Sequence, residues 1–104
     1  MEAARVLEEI VALDPLDGEA LMLLGELHAR NGLTEKAMFY YERAESMEKF
    51  EADAKLRRAQ LLVKQSRFTE ALALLKRSQE LKPREDVARY LEQVERVARA
   101  APRP

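Results

Sequence analysis

The chain has 104 residues, enough for one domain, with 47% hydrophobic and 36% charged side chains and no cysteine, a profile that excludes disorder throughout, a disulfide framework, a thiol nucleophile and a thiolate metal site. No apolar run approaches the roughly 20 residues that a membrane-crossing helix needs, and the opening Met-Glu-Ala-Ala-Arg lacks a signal-peptide pattern, so a soluble protein without membrane insertion is expected. The net charge of −1 hides an asymmetry: residues 1–51 hold 12 acidic and 5 basic side chains, residues 52–104 hold 7 acidic and 13 basic, so the chain is either an electrical dipole able to orient a partner or a solvated surface whose signs cluster.

With only three glycines and four prolines, and Ala, Leu, Glu, Lys and Arg dominant, helix is favoured nearly everywhere and an all-β fold is excluded. Apolar residues recur at three- and four-residue spacing over about 2–13, 18–31, 34–48, 52–65, 68–81 and 86–100, which predicts six helices. Breaks fall at Asp14-Pro15-Leu16-Asp17-Gly18, Asn31-Gly32, Gln65-Ser66 and Lys82-Pro83. Gly32 suits a left-handed residue after a helix, and Asp17 and Asp86 suit the capping of free amides at the next helix start. Connections this short force neighbouring helices antiparallel, which predicts a series of helical hairpins.

The breaks are periodic. A shift of 34 residues superposes Pro15 on Lys49 and Pro83, Ala3 on Ala37 and Ala71, Leu7 on Tyr41 and Leu75, Gly25 on Ala59 and Gly32 on Ser66. Only five of 34 positions are identical between 18–51 and 52–85, yet small residues fall on small ones, large apolar on large apolar and breakers on breakers, with no insertion. The small residues have a physical reason: helices approach to roughly 8–10 Å only where the side chains at the crossing are short. Gly25, Ala37 and Ala44, then Ala59, Ala71 and Ser78, are the expected crossing sites. Leu24, Tyr41, Leu62, Phe68 and Leu75 are expected to fill the space between hairpins, and such units must stack to bury their faces.

The segments Leu13 to His28 (LDPLDGEALMLLGELH) and Thr34 to Ala44 (TEKAMFYYERA), with Arg67 to Ser78 (RFTEALALLKRS) and Glu80 to Pro83 (ELKP), resemble the tetratricopeptide repeat. The resemblance covers a half repeat at 2–17, full repeats at 18–51 and 52–85, a closing helix at 86–100 and a flexible tail at 101–104. Lys55 and Arg58 depart from the family's large apolar residues, and Lys49 replaces its boundary proline. The resemblance implies an all-α fold, an α-solenoid of antiparallel helical hairpins forming a right-handed superhelix. It implies a non-catalytic module that binds a protein or peptide partner in a concave groove, with no cofactor. Its groove positions map onto Glu19, Met22, Glu26 and Ala29, then Asp53, Leu56, Gln60 and Val63, then Val87, Tyr90, Val94 and Val97. That lining, apolar at its centre and acidic toward one end, suits an amphipathic helix or an extended peptide with basic flanks. A closing helix needs Val87, Tyr90, Leu91, Val94, Val97 and Ala98 simply to cover the core, and that reading stays open. Family members that clamp a terminal carboxylate use Lys, Asn and Arg, where this chain has Met22, Leu23, Glu26, Leu56 and Arg57, so an acidic C-terminal tail is disfavoured.

Rival chemistries find little support in the residues. His28 is the only histidine, completes no metal-ligand spacing and is expected to pack. Ser46, Ser66 and Ser78 have no elbow motif, and the glycines are too scattered to cradle a phosphate, so no enzyme is expected. The basic C-terminal half could meet nucleic-acid phosphates, but acids interleave it and no base-reading polar residues line the expected groove. A further alternative is self-association through Val6, Leu7 and Ile10 of the first helix, for which the chain supplies no preceding hairpin partner; a fragment of a longer array would explain the same feature.

Overall fold

A few residues with restricted backbones set the helix boundaries. The computed structural model describes residues 2–101, which form α1 (Glu2–Leu13), α2 (Gly18–Arg30), α3 (Thr34–Glu45), α4 (Glu48–Lys64), α5 (Phe68–Leu81) and α6 (Glu85–Ala100), with no strand among them. Residues 102–104 of the expected tail lie outside the described residues. Asp17 caps α2 by accepting the Ala20 N–H at 3.0 Å. Gly32 and Ser66, one repeat apart, both take the left-handed conformation, with φ of 75° and 60°. After each helix the chain closes the same way: Leu33 donates to the His28 carbonyl and Arg67 to the Leu62 carbonyl, both at 2.9 Å. These are matching Schellman ends on α2 and α4.

Asp86 also accepts a free amide at a helix start, taking the Val87 N–H at 2.9 Å from within the first turn of α6, where Arg84 holds the capping position. One expectation is corrected: the break between α3 and α4 falls earlier than expected, because α3 ends at Glu45 and α4 starts at Glu48 instead of near residue 52. Proline disfavours helix in the residue before it. Pro15 and Pro83 therefore keep residues 14 and 82 out of helix, whereas Lys49 lets the matching Glu48 join α4, which runs 17 residues against 13 for α2.

Each helix packs mainly on its neighbours in sequence, and α2 also touches α4. The array measures 45 × 27 × 20 Å, with helices laid side by side and not gathered around one axis. The crossing sites are filled as the spacing predicts: Ala37, Ala44, Ala59 and Ala71 are fully buried and Ser78 nearly so. A Cβ on Gly25 would collide with the Tyr41 ring, and one on Gly18 with the Phe50 ring, so both glycines permit an aromatic to lie against helix backbone. Ser78 adds a hydrogen bond across the α4/α5 crossing, donating its hydroxyl to the Ala52 carbonyl at 2.8 Å.

The core divides in two. One cluster joins α1, α2 and α3 to the ends of α4 through residues such as Val11, Leu21, Leu24, Tyr41 and Leu61. The other joins α4, α5 and α6 through Ala59, Leu62, Leu75, Val87 and Val94. Between α3 and α4 stands an ionic junction: the Glu45 carboxylate, only 10% exposed, accepts from Lys55 at 2.7 Å and Arg58 at 2.6 Å. The two residues that depart from the family pattern therefore pair with a buried acid one helix back.

Candidate functional site

Parallel placement of α2 and α4, one repeat apart, puts equivalent residues side by side on the concave face. Their N-terminal halves and the start of α6 enclose a trough of about 600 Å³ lined by Glu19, Met22, Leu23, Glu26, Phe50, Asp53, Leu56, Arg57, Gln60, Arg84 and Asp86. That volume lies within the range of roughly 300–1,000 Å³ usual for binding pockets. The 34-residue correspondence orders the lining into rows: Glu19 beside Asp53, Met22 beside Leu56, Leu23 beside Arg57 and Glu26 beside Gln60. An apolar row thus lies between polar rows. Met22 and Leu56 are half-buried, and Leu23 is 51% exposed.

The electrostatics differ between the two walls. Asp53 is engaged, by Lys82 at 3.5 Å and Arg84 at 3.7 Å, and Arg84 also holds Asp86 at 3.0 Å. Desolvation raises the Asp86 carboxyl, but the Val87 N–H and the Arg84 guanidinium together outweigh it and hold the group below its ordinary value. Among the described residues no ion pair involves Glu19, Glu26 or Arg57.

Of the expected groove residues, Glu19, Met22, Glu26, Asp53, Leu56 and Gln60 converge on this trough. The others lie elsewhere. Ala29 and Val63 are half-buried against the two core clusters. Val87 and Val94 are 3% exposed and belong to the second cluster, with Tyr90 packed on it; burial pushes the Tyr90 phenol up. Val97 is 51% exposed on the last turns of α6. The apolar stripe of α6 thus faces α5, which corresponds to the core-covering alternative for that helix.

Phe50, Arg84 and Asp86 line the trough without having been expected there, and Leu23 and Arg57, expected only as the positions that match the family's carboxylate clamp, line it as well. Phe50 sits in the extra turn of α4, so the missing proline at Lys49 is the sequence signal that could have found it. Leu23 and Arg57 are neighbours of expected positions on the same helix face, and Arg84 enters from the connection before α6.

Elsewhere, Val6 and Ile10 of α1 are 47% and 37% exposed, with Leu7 half-buried against the first cluster. His28 is buried and stacked on Tyr40, their ring centroids 5.6 Å apart. The described residues contain no helix long and apolar enough to cross a membrane.

Comparison with protein families supplies two matches. A tetratricopeptide-repeat model matches residues 1–50, and a model described as anaphase-promoting complex, cyclosome, subunit 3 matches residues 30–92. No curated protein matches the chain.

Proposed function

Since the chain belongs to the tetratricopeptide-repeat family, whose repeats generally mediate protein–protein interaction, we propose that it is a non-catalytic binding module that captures a segment of a partner protein in the trough between α2 and α4. The observation that carries this reading is the convergence of Met22 and Leu56 in the lining of one concavity, with polar residues on both sides. Such an arrangement combines an apolar centre that rewards burial with a polar rim that fixes orientation. The small-residue crossings hold both helices in place, so binding needs little backbone movement.

A pull-down with the wild type beside Leu56→Arg tests it. Leu56 is half-buried and reaches the trough, so the variant is checked first for an unchanged melting temperature. Proteins retained by the wild type and lost with the variant support the trough as the binding surface; an unchanged set rejects it.

The exposed Val6 and Ile10 on α1 favour a second reading, association of two copies through that helix. The corresponding positions on α3, Tyr40 and Ala44, lie half-buried and fully buried against neighbouring helices. Light scattering at high concentration distinguishes it: a dimer mass abolished by Leu7→Glu supports this reading, and a monomer at all concentrations removes it.

A further inference from the structure

We infer that the trough selects cationic segments, in which lysines or arginines flank apolar residues. The inference rests on the trough being the binding surface and adds the chemical class of what it holds. Three observations point to it.

The first is the count of uncommitted charge. Asp53 and Asp86 are neutralised by Lys82 and Arg84, so they offer a ligand little field. Glu19 and Glu26 have no ion-pair partner among the described residues; Arg57 is the one cation of the trough lining without an ion pair, and Arg30 stands one turn beyond Glu26 outside the lining. A ligand that lies on α2 therefore meets two free carboxylates.

The second is their spacing. Glu19 and Glu26 are seven residues apart on one helix, which separates them by roughly 10 Å along its axis. Met22 and Leu23 lie between them on the same face. A peptide in the polyproline II conformation rises about 3.1 Å per residue with three residues per turn, so two basic residues three positions apart share a face and span nearly the same distance, with two residues between them at the apolar row. The matching pattern is basic, apolar, apolar, basic.

The third is the surroundings. Residues 1–51 carry 12 acidic against 5 basic side chains, so the field on the α2 side of the trough attracts cations before contact. An acidic segment placed on the same row would set its carboxylates against Glu19 and Glu26.

Panning a random twelve-residue peptide display library on four forms of the full chain tests the inference. The forms are the wild type, Leu56→Arg, Glu19→Lys with Glu26→Lys, and Glu8→Lys with Glu9→Lys. The last makes the same change in net charge on exposed α1 positions outside the trough. Thermal melts establish that each variant folds, and enriched peptides are synthesised for affinity measurement by fluorescence anisotropy.

The expected result is a set of peptides with Lys or Arg flanking apolar residues. These should weaken at least tenfold on the Glu19→Lys/Glu26→Lys form and on Leu56→Arg, and less than threefold on the Glu8→Lys/Glu9→Lys form. Neutral or acidic peptides that are lost with Leu56→Arg overturn the cationic class and leave the trough reading standing. Cationic peptides weakened equally by both double variants overturn it too, since bulk charge would then explain them. Peptides indifferent to Leu56→Arg, or no enrichment at all, overturn both readings.

Discussion

The two full repeats solve the same packing problem with different chemistry at the helix behind them. In the first, Leu21 and Leu24 of α2 share a buried apolar cluster with Val11 of α1. A shift of 34 residues turns those three into Lys55, Arg58 and Glu45, which meet as ion pairs of 2.7 and 2.6 Å at the α3/α4 junction. The backbone arrangement is retained while the interior changes from hydrocarbon to charge. Shape and spacing define this repeat, and a complementary set of side chains at corresponding positions is sufficient. The ionic version is also the more fragile: attraction between buried charges is offset by their desolvation, and removing one partner leaves the other uncompensated.

The largest expected effect follows from that difference. Glu45→Ala should cost about 3 kcal/mol, because Lys55 and Arg58 would keep only the longer 3.5 Å pairs with Glu51 and Glu42 in a place mostly shielded from water. Transplanting the first repeat's solution, Glu45→Val with Lys55→Leu and Arg58→Leu, should be neutral or stabilising by about 1–4 kcal/mol. Urea unfolding of the three proteins checks both. If the triple variant is as unstable as Glu45→Ala, the equivalence of the two junctions is wrong.

Next is the crossing within each repeat. Gly25 lies under the Tyr41 ring, whereas the corresponding Ala59 shares a buried cluster with Leu75. The aromatic needs a bare backbone and the leucine tolerates a methyl. Gly25→Ala should therefore destabilise by about 1–3 kcal/mol through overpacking, despite alanine's better helix propensity. Gly25→Ala combined with Tyr41→Leu should recover part of the loss, which thermal melts of the single and double variants would reveal.

A smaller effect concerns the helix ends. Gly32 and Ser66 occupy the same left-handed position, but only glycine does so without a Cβ penalty. Ser66→Gly should stabilise by about 0.5–1 kcal/mol, and Gly32→Ala should destabilise by about 1 kcal/mol. Denaturant midpoints that move in the opposite directions would contradict the matching Schellman ends.

The smallest expected effect separates Asp17, a cap outside its helix, from Asp86, a first-turn residue. The folded-state pKa of Asp86 is depressed below its ordinary 3.8. Its contribution is thus fully present above that value and lost as pH falls through the lower folded pKa. Asp86→Asn should leave the stability curve unchanged in shape near neutrality and make its acid limb shallower. An acid limb identical to wild type would remove the proposed role of the Val87 and Arg84 contacts.

Much of this was legible in the sequence because it depends on local rules. Pro15, Gly32, Asp17 and the alternation of large and small residues fix where helices stop and how closely they approach. The groove positions Glu19, Met22, Glu26, Asp53, Leu56 and Gln60 were implied by the family resemblance, and they come together because residues on one helix face stay together. What escaped depends on partners far along the chain. Lys55 and Arg58 read as misplaced until Glu45 is seen behind them. Phe50 reads as a linker residue until the absence of a proline at Lys49 extends α4 and lays the ring on Gly18. Val87 and Val94 fall on groove positions by count. In the structure α6 instead turns its apolar stripe to α5, where Val87 and Val94 join the second cluster.

The most direct test is nuclear Overhauser spectroscopy on the methyl-labelled chain bound to a peptide enriched by display. Contacts from the peptide to the Met22 and Leu56 methyls, with none to Val6, Leu7 or Ile10, are the predicted result. Contacts confined to the α1 methyls, with the Met22 and Leu56 signals unmoved, would contradict the trough as the binding surface.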